Sequence, residues 1–323
     1  MSELRYDQRV ALVTGAGGAI GRAHALLLAG RGAKVVVNDY GTTVAGEKPD
    51  SVDNRGEQVA QEIRDLGGDA ITNADSVAEQ AGAERMVGAA LEAFGRLDII
   101  VNNAGIAVCD HIYEEPGPQY ALNLGVLLEG PAYVVRAAWE TMKERGYGRI
   151  LNTSSASIFG FNWPDGNWMG SYVLAKSAVM AYTRQIGGQG EAHGIKANAI
   201  LPLAYSRMNS ESLKGTPEGD YLKTYAGPEH VASAAGYLLH EECPVTGQSF
   251  SVSGGRIARV LFAEPLGFHH PALTPELVRD NWEAAVGEVG EDNRLSPEFF
   301  QILNLLQESE LMVAAGVGSQ AAV

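Results

Sequence analysis

Short apolar runs alternate along most of this chain with longer stretches in which apolar residues return every three or four positions. The first kind suits a buried strand and the second an amphipathic helix. Runs at 9–14, 33–37, 69–73, 97–101, 149–155, 196–201 and 248–252 are expected as strands. Helical periodicity follows the first run through Ala23, Leu26, Leu27 and Leu28, then covers 57–66, 81–94, 119–145, 170–192 and 228–240. Strands taking turns with helices in this way predict an α/β fold, a doubly wound parallel sheet of about seven strands with helices on both faces. Residues 41–55 and 206–226 break the rhythm. They are polar, and are read as surface loops, the second of them mobile; strand six is expected to stop at Pro202. Ligands of such a sheet lie beyond the carboxyl ends of its strands, so candidate chemistry is sought there.

The first strand runs into Gly15-Ala16-Gly17-Gly18-Ala19-Ile20-Gly21 and then at once into a helix. Glycines let the backbone come close to a pyrophosphate, and a helix N-terminus offers unpaired N–H groups and a partial positive charge. Strand, glycine turn and helix together are the setting of a dinucleotide-binding turn. Asp39 closes the second strand, where a carboxylate can accept hydrogen bonds from the adenosine ribose. A 2′-phosphate would meet it as like charge, which favours NAD over NADP. Asp75 and Ser76 end the third strand near the expected adenine, and Asn102-Asn103-Ala104-Gly105 ends the fourth.

Beyond strand five the pattern offers a proton carrier. Tyr172 and Lys176 are four residues apart at the start of a helix, hence on one face of it. A cation held there favours the phenolate, so the tyrosine pKa is expected to fall. A phenolate near neutrality can take a proton from an alcohol. Ser155, at the end of strand five, can hydrogen-bond the same oxygen. Alone, Tyr172 and Lys176 are equally readable as a packed aromatic and a solvated helix residue; the glycine turn upstream favours the chemical reading.

Composition narrows the choices. The 323 residues are enough for one large α/β domain with an extension or for two ordinary domains, and 46% hydrophobic content is ample for a core. A net charge of −15 with no long basic run excludes nucleic acid and anionic membranes as natural partners. The two cysteines, Cys109 and Cys243, are far apart and fit a reducing compartment, and no apolar run is long enough to span a membrane. A soluble, cytoplasmic protein is expected. No metal site is expected: His269-His270 and Asp110-His111 lack partners at ligand spacing and are read as surface polar groups. The helix 299–311 is read as packing, and the small-residue tail from about 314 as disordered.

Taken together, Thr14-Gly15-x-x-x-Ala19-Ile20-Gly21, Asp39, Asp75, Asn102-Asn103-Ala104-Gly105, Ser155 and Tyr172-x-x-x-Lys176 resemble the short-chain dehydrogenase/reductase family over about residues 8–256. The resemblance implies a Rossmann-type, NAD-binding catalytic domain at 1–256 and a C-terminal helical extension at 257–323. It makes Tyr172 the acid/base, Ser155 its partner on the substrate oxygen, and Lys176 the residue that lowers the phenol pKa and holds the nicotinamide ribose. Gly15, Gly17, Gly18, Ala19, Ile20, Gly21, Asp39, Asp75, Ser76, Asn102, Ala104, Gly105, Tyr172, Lys176, Pro202, Ala204 and Ser206 are then expected around the cofactor.

Val36 to Gly41, Arg136-Ala137-Ala138-Trp139, Thr153 to Ser157, Ser206-Arg207-Met208 and Leu273-Thr274-Pro275-Glu276 with Asn281-Trp282 are similar to a subgroup of (3R)-hydroxyacyl-CoA dehydrogenases. A homodimer or homotetramer is implied as well. The chain departs from the family at Ala19, where a third glycine is usual, and at Leu127, where the family's helix asparagine is expected; the nearest amide is Asn123. It also carries an aromatic insert at 159–169, read as a lid over a bulky apolar substrate with Phe161, Trp163 and Trp168 as contacts. A (3R)-3-hydroxyacyl-CoA is the favoured substrate, with Arg207, Lys214, Lys223, Arg256 and Arg259 as candidates for the CoA phosphates; a free hydroxysteroid or terpenoid alcohol is the alternative.

Overall fold

The computed structural model describes residues 2–48, 54–108, 110–111, 117–160, 169–210, 213–262 and 267–287. Its strands are β1 (Val10–Thr14), β2 (Lys34–Asn38), β3 (Ala70–Asn73), β4 (Ile99–Asn102), β5 (Gly148–Thr153), β6 (Ile195–Leu203), β7 (Ser249–Ser253) and β8 (Arg256–Val260). They form one sheet in the order β3-β2-β1-β4-β5-β6-β7-β8. The pairings from β3 across to β7 are all parallel. The sheet has eight strands rather than seven, because the chain turns back at Gly254-Gly255 and adds β8 at the edge. Strand order reverses between β1 and β4, and a crevice opens at such a reversal beyond the carboxyl ends.

The helices are α1 (Ala19–Gly30), α2 (Arg55–Asp65), α3 (Gln80–Phe94), α4 (Pro118–Leu124), α5 (Gly130–Arg145), α6 (Gly170–Glu191), α7 (Arg207–Ser210), α8 (Pro217–Tyr225) and α9 (Pro228–Leu239). Alternation along each strand sends its side chains to two faces. Ala11, Val13, Val35 and Val37 pack on one side with Leu28, Val59, Ile63 and Val231. Val10, Leu12 and Val36 pack on the other with Met86, Val134, Met142 and Ile186. The sheet is held between these two layers.

Three expectations are corrected. The helix expected at 119–145 is interrupted by a π-helical stretch, Gly125–Glu129, between α4 and α5. The loop 206–226 is not a mobile coil but contains α7 and α8, the latter started by Thr216, whose hydroxyl accepts from the Gly219 N–H at 3.0 Å. Strand six does not stop at Pro202, which lies opposite Val252 in register; near a strand's end the missing N–H is tolerated.

The chain divides into two compact units, residues 1–259 and 260–323. The second contains α10 (Pro275–Asp280) and α11 (Trp282–Ala285). The expected helix 299–311 and the tail from 314 lie outside the described residues.

Candidate active site

β1 delivers the chain into the glycine turn, and the turn is held from several sides. Gly15 adopts φ +63°, and a Cβ there would lie 2.7 Å from the Cα of Ala104. The Asn103 amide donates to the carbonyls of Thr14 at 2.9 Å and Gly15 at 3.2 Å. The Thr14 hydroxyl accepts from the N–H groups of Asn103 and Ala104, both at 3.1 Å. Asn103 was not among the expected contacts, yet it ties the turn to the end of β4. Asp39 accepts from Gly17 N–H at 2.8 Å on one oxygen and from Gly41 N–H at 2.9 Å on the other. A Cβ on Gly17 would come within 2.7 Å of that carboxylate.

Helix α1 begins after Gly18 with no side-chain cap and no acidic residue in its first turn. Its first amides therefore face the crevice with their partial positive charge uncompensated, as an anion requires. A backbone cradle, an uncapped helix start and a carboxylate at the ribose position fit an adenine dinucleotide. Asp75 is engaged elsewhere: Arg85 donates to one of its oxygens at 2.7 Å and Asn73 to the other at 2.7 Å. Burial raises its pKa, but these hydrogen bonds outweigh that and hold it below the usual carboxylate range. The Ser76 hydroxyl accepts from Ala78 N–H at 3.2 Å, where α3 approaches. The side chain of Asn102 is buried and donates to Asn152 at 2.9 Å, which in turn donates to Thr183 at 2.9 Å. Asn102 thus joins β4 to β5, while Ala104 lies against the glycine turn and Gly105 lies near Leu127.

Ser155, Tyr172 and Lys176 come together beyond the ends of β4 and β5. Ser157 donates to the Ser155 oxygen twice, from its N–H at 3.2 Å and from its hydroxyl at 2.9 Å. A serine hydroxyl has two acceptor places and one donor. Both acceptor places being filled, the Ser155 proton is directed onward, and Ser155 hydrogen-bonds the Tyr172 phenol. Lys176, nearly fully buried, donates to the Thr153 carbonyl at 2.7 Å, and its Nζ lies 5.8 Å from the centre of the Tyr172 ring.

The expected fall in the tyrosine pKa is not what this structure has. Burial raises the phenol above its ordinary value, and the Ser155 hydrogen bond opposes this only in part. Burial also depresses Lys176, to about 8. Desolvation penalises both charged forms, and four-residue spacing takes no account of it. Leu127 packs with Ile106, Tyr172 and Ala175 in one apolar cluster. Asn123 is buried one turn earlier and donates to the Ser171 hydroxyl at 2.9 Å.

Pro202, Ala204 and Ser206 follow one another at the carboxyl end of β6; Ala204 is buried, and Ser206 N–H donates to Asn209 at 2.9 Å. Arg207, Lys214, Lys223, Arg256 and Arg259 are all exposed. Phe161, Trp163 and Trp168 lie outside the described residues. Next to that stretch Phe159 is 63% exposed, and Leu203, Met208, Tyr221 and Tyr225 are also exposed after β6. Asp110 and His111, read as surface polar groups, are half-buried instead. His269 and His270 are exposed. Among the described residues no group of acidic, histidine and cysteine side chains could hold a metal, and no helix is long and apolar enough to cross a membrane.

The chain is similar to known proteins over most of its length. The family described as "Enoyl-(Acyl carrier protein) reductase" matches residues 15–256. Mouse peroxisomal multifunctional enzyme type 2 is 41% identical over 286 residues, covering 87% of this chain and 37% of the mouse protein. A short-chain type dehydrogenase/reductase of Mycobacterium tuberculosis is 38% identical over 255 residues, 79% of this chain and 85% of the other. Among solved structures, a short chain dehydrogenase from Mycobacterium avium gives a TM-score of 0.70 at 33% identity, covering 88% of this chain and 97% of that one. Full-length peroxisomal multifunctional enzyme type 2 from Drosophila melanogaster gives 0.75 at 27% identity, covering 96% of this chain and 51% of that one. The chain thus spans little more than a third of the mouse enzyme it matches.

Proposed function

The chain belongs to the short-chain dehydrogenase/reductase family and is an NAD(H)-dependent oxidoreductase, and from its site we propose that it interconverts a secondary alcohol and a ketone on a (3R)-3-hydroxyacyl-CoA. The observation that carries the reading is the cluster itself: a buried phenol, Tyr172, hydrogen-bonded by Ser155 and lying over Lys176. When bound, the cofactor supplies the hydride acceptor or donor at its nicotinamide ring. The glycine turn at 15–21 and the start of α1 hold its pyrophosphate, and Asp39 its adenosine ribose. Ser155, its acceptor places filled by Ser157, turns its one proton from the Tyr172 phenol to the substrate oxygen when substrate binds and fixes that oxygen beside Tyr172. Tyr172 takes the hydroxyl proton in oxidation and returns it in reduction. Lys176, held by the Thr153 carbonyl, keeps a positive charge near the phenol oxygen at neutral pH.

For the substrate, Phe159, Leu203, Met208, Tyr221 and Tyr225 offer apolar surface beyond β5 and β6. Arg207 starts α7 next to them and Lys223 stands in the last turn of α8, cations suited to the phosphates of a CoA thioester. Likeness to multifunctional enzymes over their matching third adds weight to this choice. A free hydroxysteroid is the second reading, favoured by the same apolar residues and needing none of the cations. NADH formation is measured with (3R)-3-hydroxyacyl-CoAs of increasing chain length and with free hydroxysteroids. Turnover confined to the thioesters supports the proposal; turnover of the free steroids alone overturns the substrate class. We also place the enzyme in the cytoplasm as a homodimer or homotetramer, on the cysteine usage and on the groove between α5 and α6 in which Trp139 and Tyr182 are half-buried.

A further inference from the structure

Helix α6 carries both Tyr172 and Lys176, yet Met169, the residue before it, gives its first turn no side-chain cap. The cap comes from a residue on another segment. Asp110, in the segment after β4, accepts the Gly170 N–H on its backbone carbonyl at 3.2 Å. Its carboxylate accepts the Ser171 N–H at 3.0 and 3.2 Å. Residues 110 and 169 also form an isolated parallel bridge. A negative charge at the positive end of a helix is favourable, and two of the N–H groups that a helix start leaves unpaired find partners here.

Asn123 completes the brace. It is fully buried and donates to the Val108 carbonyl at 3.0 Å and to the Ser171 hydroxyl at 2.9 Å. One amide thereby ties the segment after β4 to the residue just before Tyr172. Its Oδ1 is buried with no partner, an arrangement that costs stability and that an apolar residue of similar size would avoid. Apart from the Ser155 hydrogen bond, the tyrosine is surrounded by apolar contact from Ile106, Leu127 and Ala175. Such contact excludes water but is non-directional. One turn on, α6 is tied to β5 at Lys176, which accepts from the Ser154 hydroxyl at 2.8 Å and donates to the Thr153 carbonyl at 2.7 Å; on the N-terminal side of the phenol its position depends on the hydrogen bonds at residue 171. The π-helical stretch that follows, Gly125–Glu129, sets Leu127 against Tyr172 while leaving Asn123 facing Ser171.

We infer that Asn123 and Asp110 are positioning residues that act through Ser171 to set the Tyr172 phenol against Ser155 and the substrate oxygen. The inference rests on the reading of Tyr172 as the acid/base. A proton carrier displaced by about 1 Å can lose on the order of 100-fold in rate, so the set shows in kcat and in its pH dependence.

The test uses the full chain with NAD and (3R)-3-hydroxydecanoyl-CoA, or the hydroxysteroid that the substrate panel selects. Asn123→Ala, Ser171→Ala, their double variant, Asp110→Asn and Tyr172→Phe are compared. Asn123→Ala and Ser171→Ala should each lower kcat by roughly 10–100-fold and shift its pH profile, with KM and NADH affinity within about threefold of wild type. The double variant should be no slower than the worse single one, since both remove the same contact. Asp110→Asn keeps an acceptor but loses the charge, and should give a smaller loss in the same direction even if Asn123→Ala folds poorly. A kcat within about twofold of wild type in Asn123→Ala and Asp110→Asn, or multiplying losses in the double variant, overturns the inference. If Tyr172→Phe is inactive while these variants are not, this inference alone fails; if Tyr172→Phe is active, the acid/base reading fails with it.

Discussion

At Lys176 burial and charge act against each other. Its ammonium is almost wholly withdrawn from water and its pKa is pushed down from 10.5 to about 8. Between these values the unfolded chain binds the proton and the folded one does not, so stability rises as pH rises from about 8 to 10.5. Below pH 8 the full cost of the buried charge is present. At 1.36 kcal/mol per unit this is roughly 3 kcal/mol at most, offset in part by the hydrogen bond to Thr153. Lys176→Met should therefore melt no lower than wild type at pH 7, and its stability should gain less between pH 8 and 10.5. Turnover should nevertheless fall at least ~100-fold, a stability–activity trade-off of the kind that active sites impose. A variant that melts far lower and keeps its rate would make Lys176 structural.

Asp39 makes the matching case for the cofactor. Its two oxygens hold the Gly17 and Gly41 amides, so the carboxylate is fixed where a 2′-phosphate would meet it. Wild-type kcat/KM should favour NAD over NADP by at least about tenfold, and Asp39→Ser should narrow the gap. Equal values in the wild type would mean that another residue reads the ribose.

Among the elements, the glycine turn is the most sharply constrained. In Gly17→Ala the new Cβ would lie 2.7 Å from the Asp39 carboxylate and 2.8 Å from the Arg55 Cβ. One of them has to move, and NADH affinity should drop by about tenfold or more, read by fluorescence titration, while kcat at saturating cofactor changes little. An unchanged affinity would show that the cofactor does not lie over Gly17.

The turn, the positions of the strands along the chain and the spacing of Tyr172 and Lys176 are legible in the sequence because each is local. The Gly17 turn is written in adjacent residues, and a buried parallel strand such as Val35-Val36-Val37 is written in its own apolar run. What was not legible depended on contacts between distant residues. The Asp110 carboxylate looks like solvent-facing polarity until Ser171, which it caps, is beside it. The π-helical stretch leaves no trace in a helical pattern that is apolar nearly all round. Asn103 lay inside a recognised motif, but its work, holding the Thr14 and Gly15 carbonyls, needs β1 and β4 adjacent. The direction of the Tyr172 shift was misjudged for the same reason: burial is a property of the fold and not of the spacing.

On the scale of the whole molecule, α5 and α6 share a groove lined by half-buried Trp139 and Tyr182, with Val135 and Ile186 buried at its base. Apolar groups of this size in a single area suit a subunit interface. Light scattering at micromolar concentration should give at least twice the monomer mass of 34.2 kDa; the monomer mass itself would contradict the proposed homo-oligomer. A net charge of −15 leaves cationic contacts to a few placed residues such as Arg207. The proposed chemistry turns on one oxygen atom, the phenol of Tyr172. Tyr172→Phe keeps the ring in its apolar cluster and removes only that oxygen. The account predicts that steady-state turnover with NAD falls ~100-fold or more while NADH affinity stays within a few-fold of wild type. A variant that keeps more than about a tenth of the wild-type rate would contradict it, because acid–base catalysis of this kind contributes ~100-fold at least.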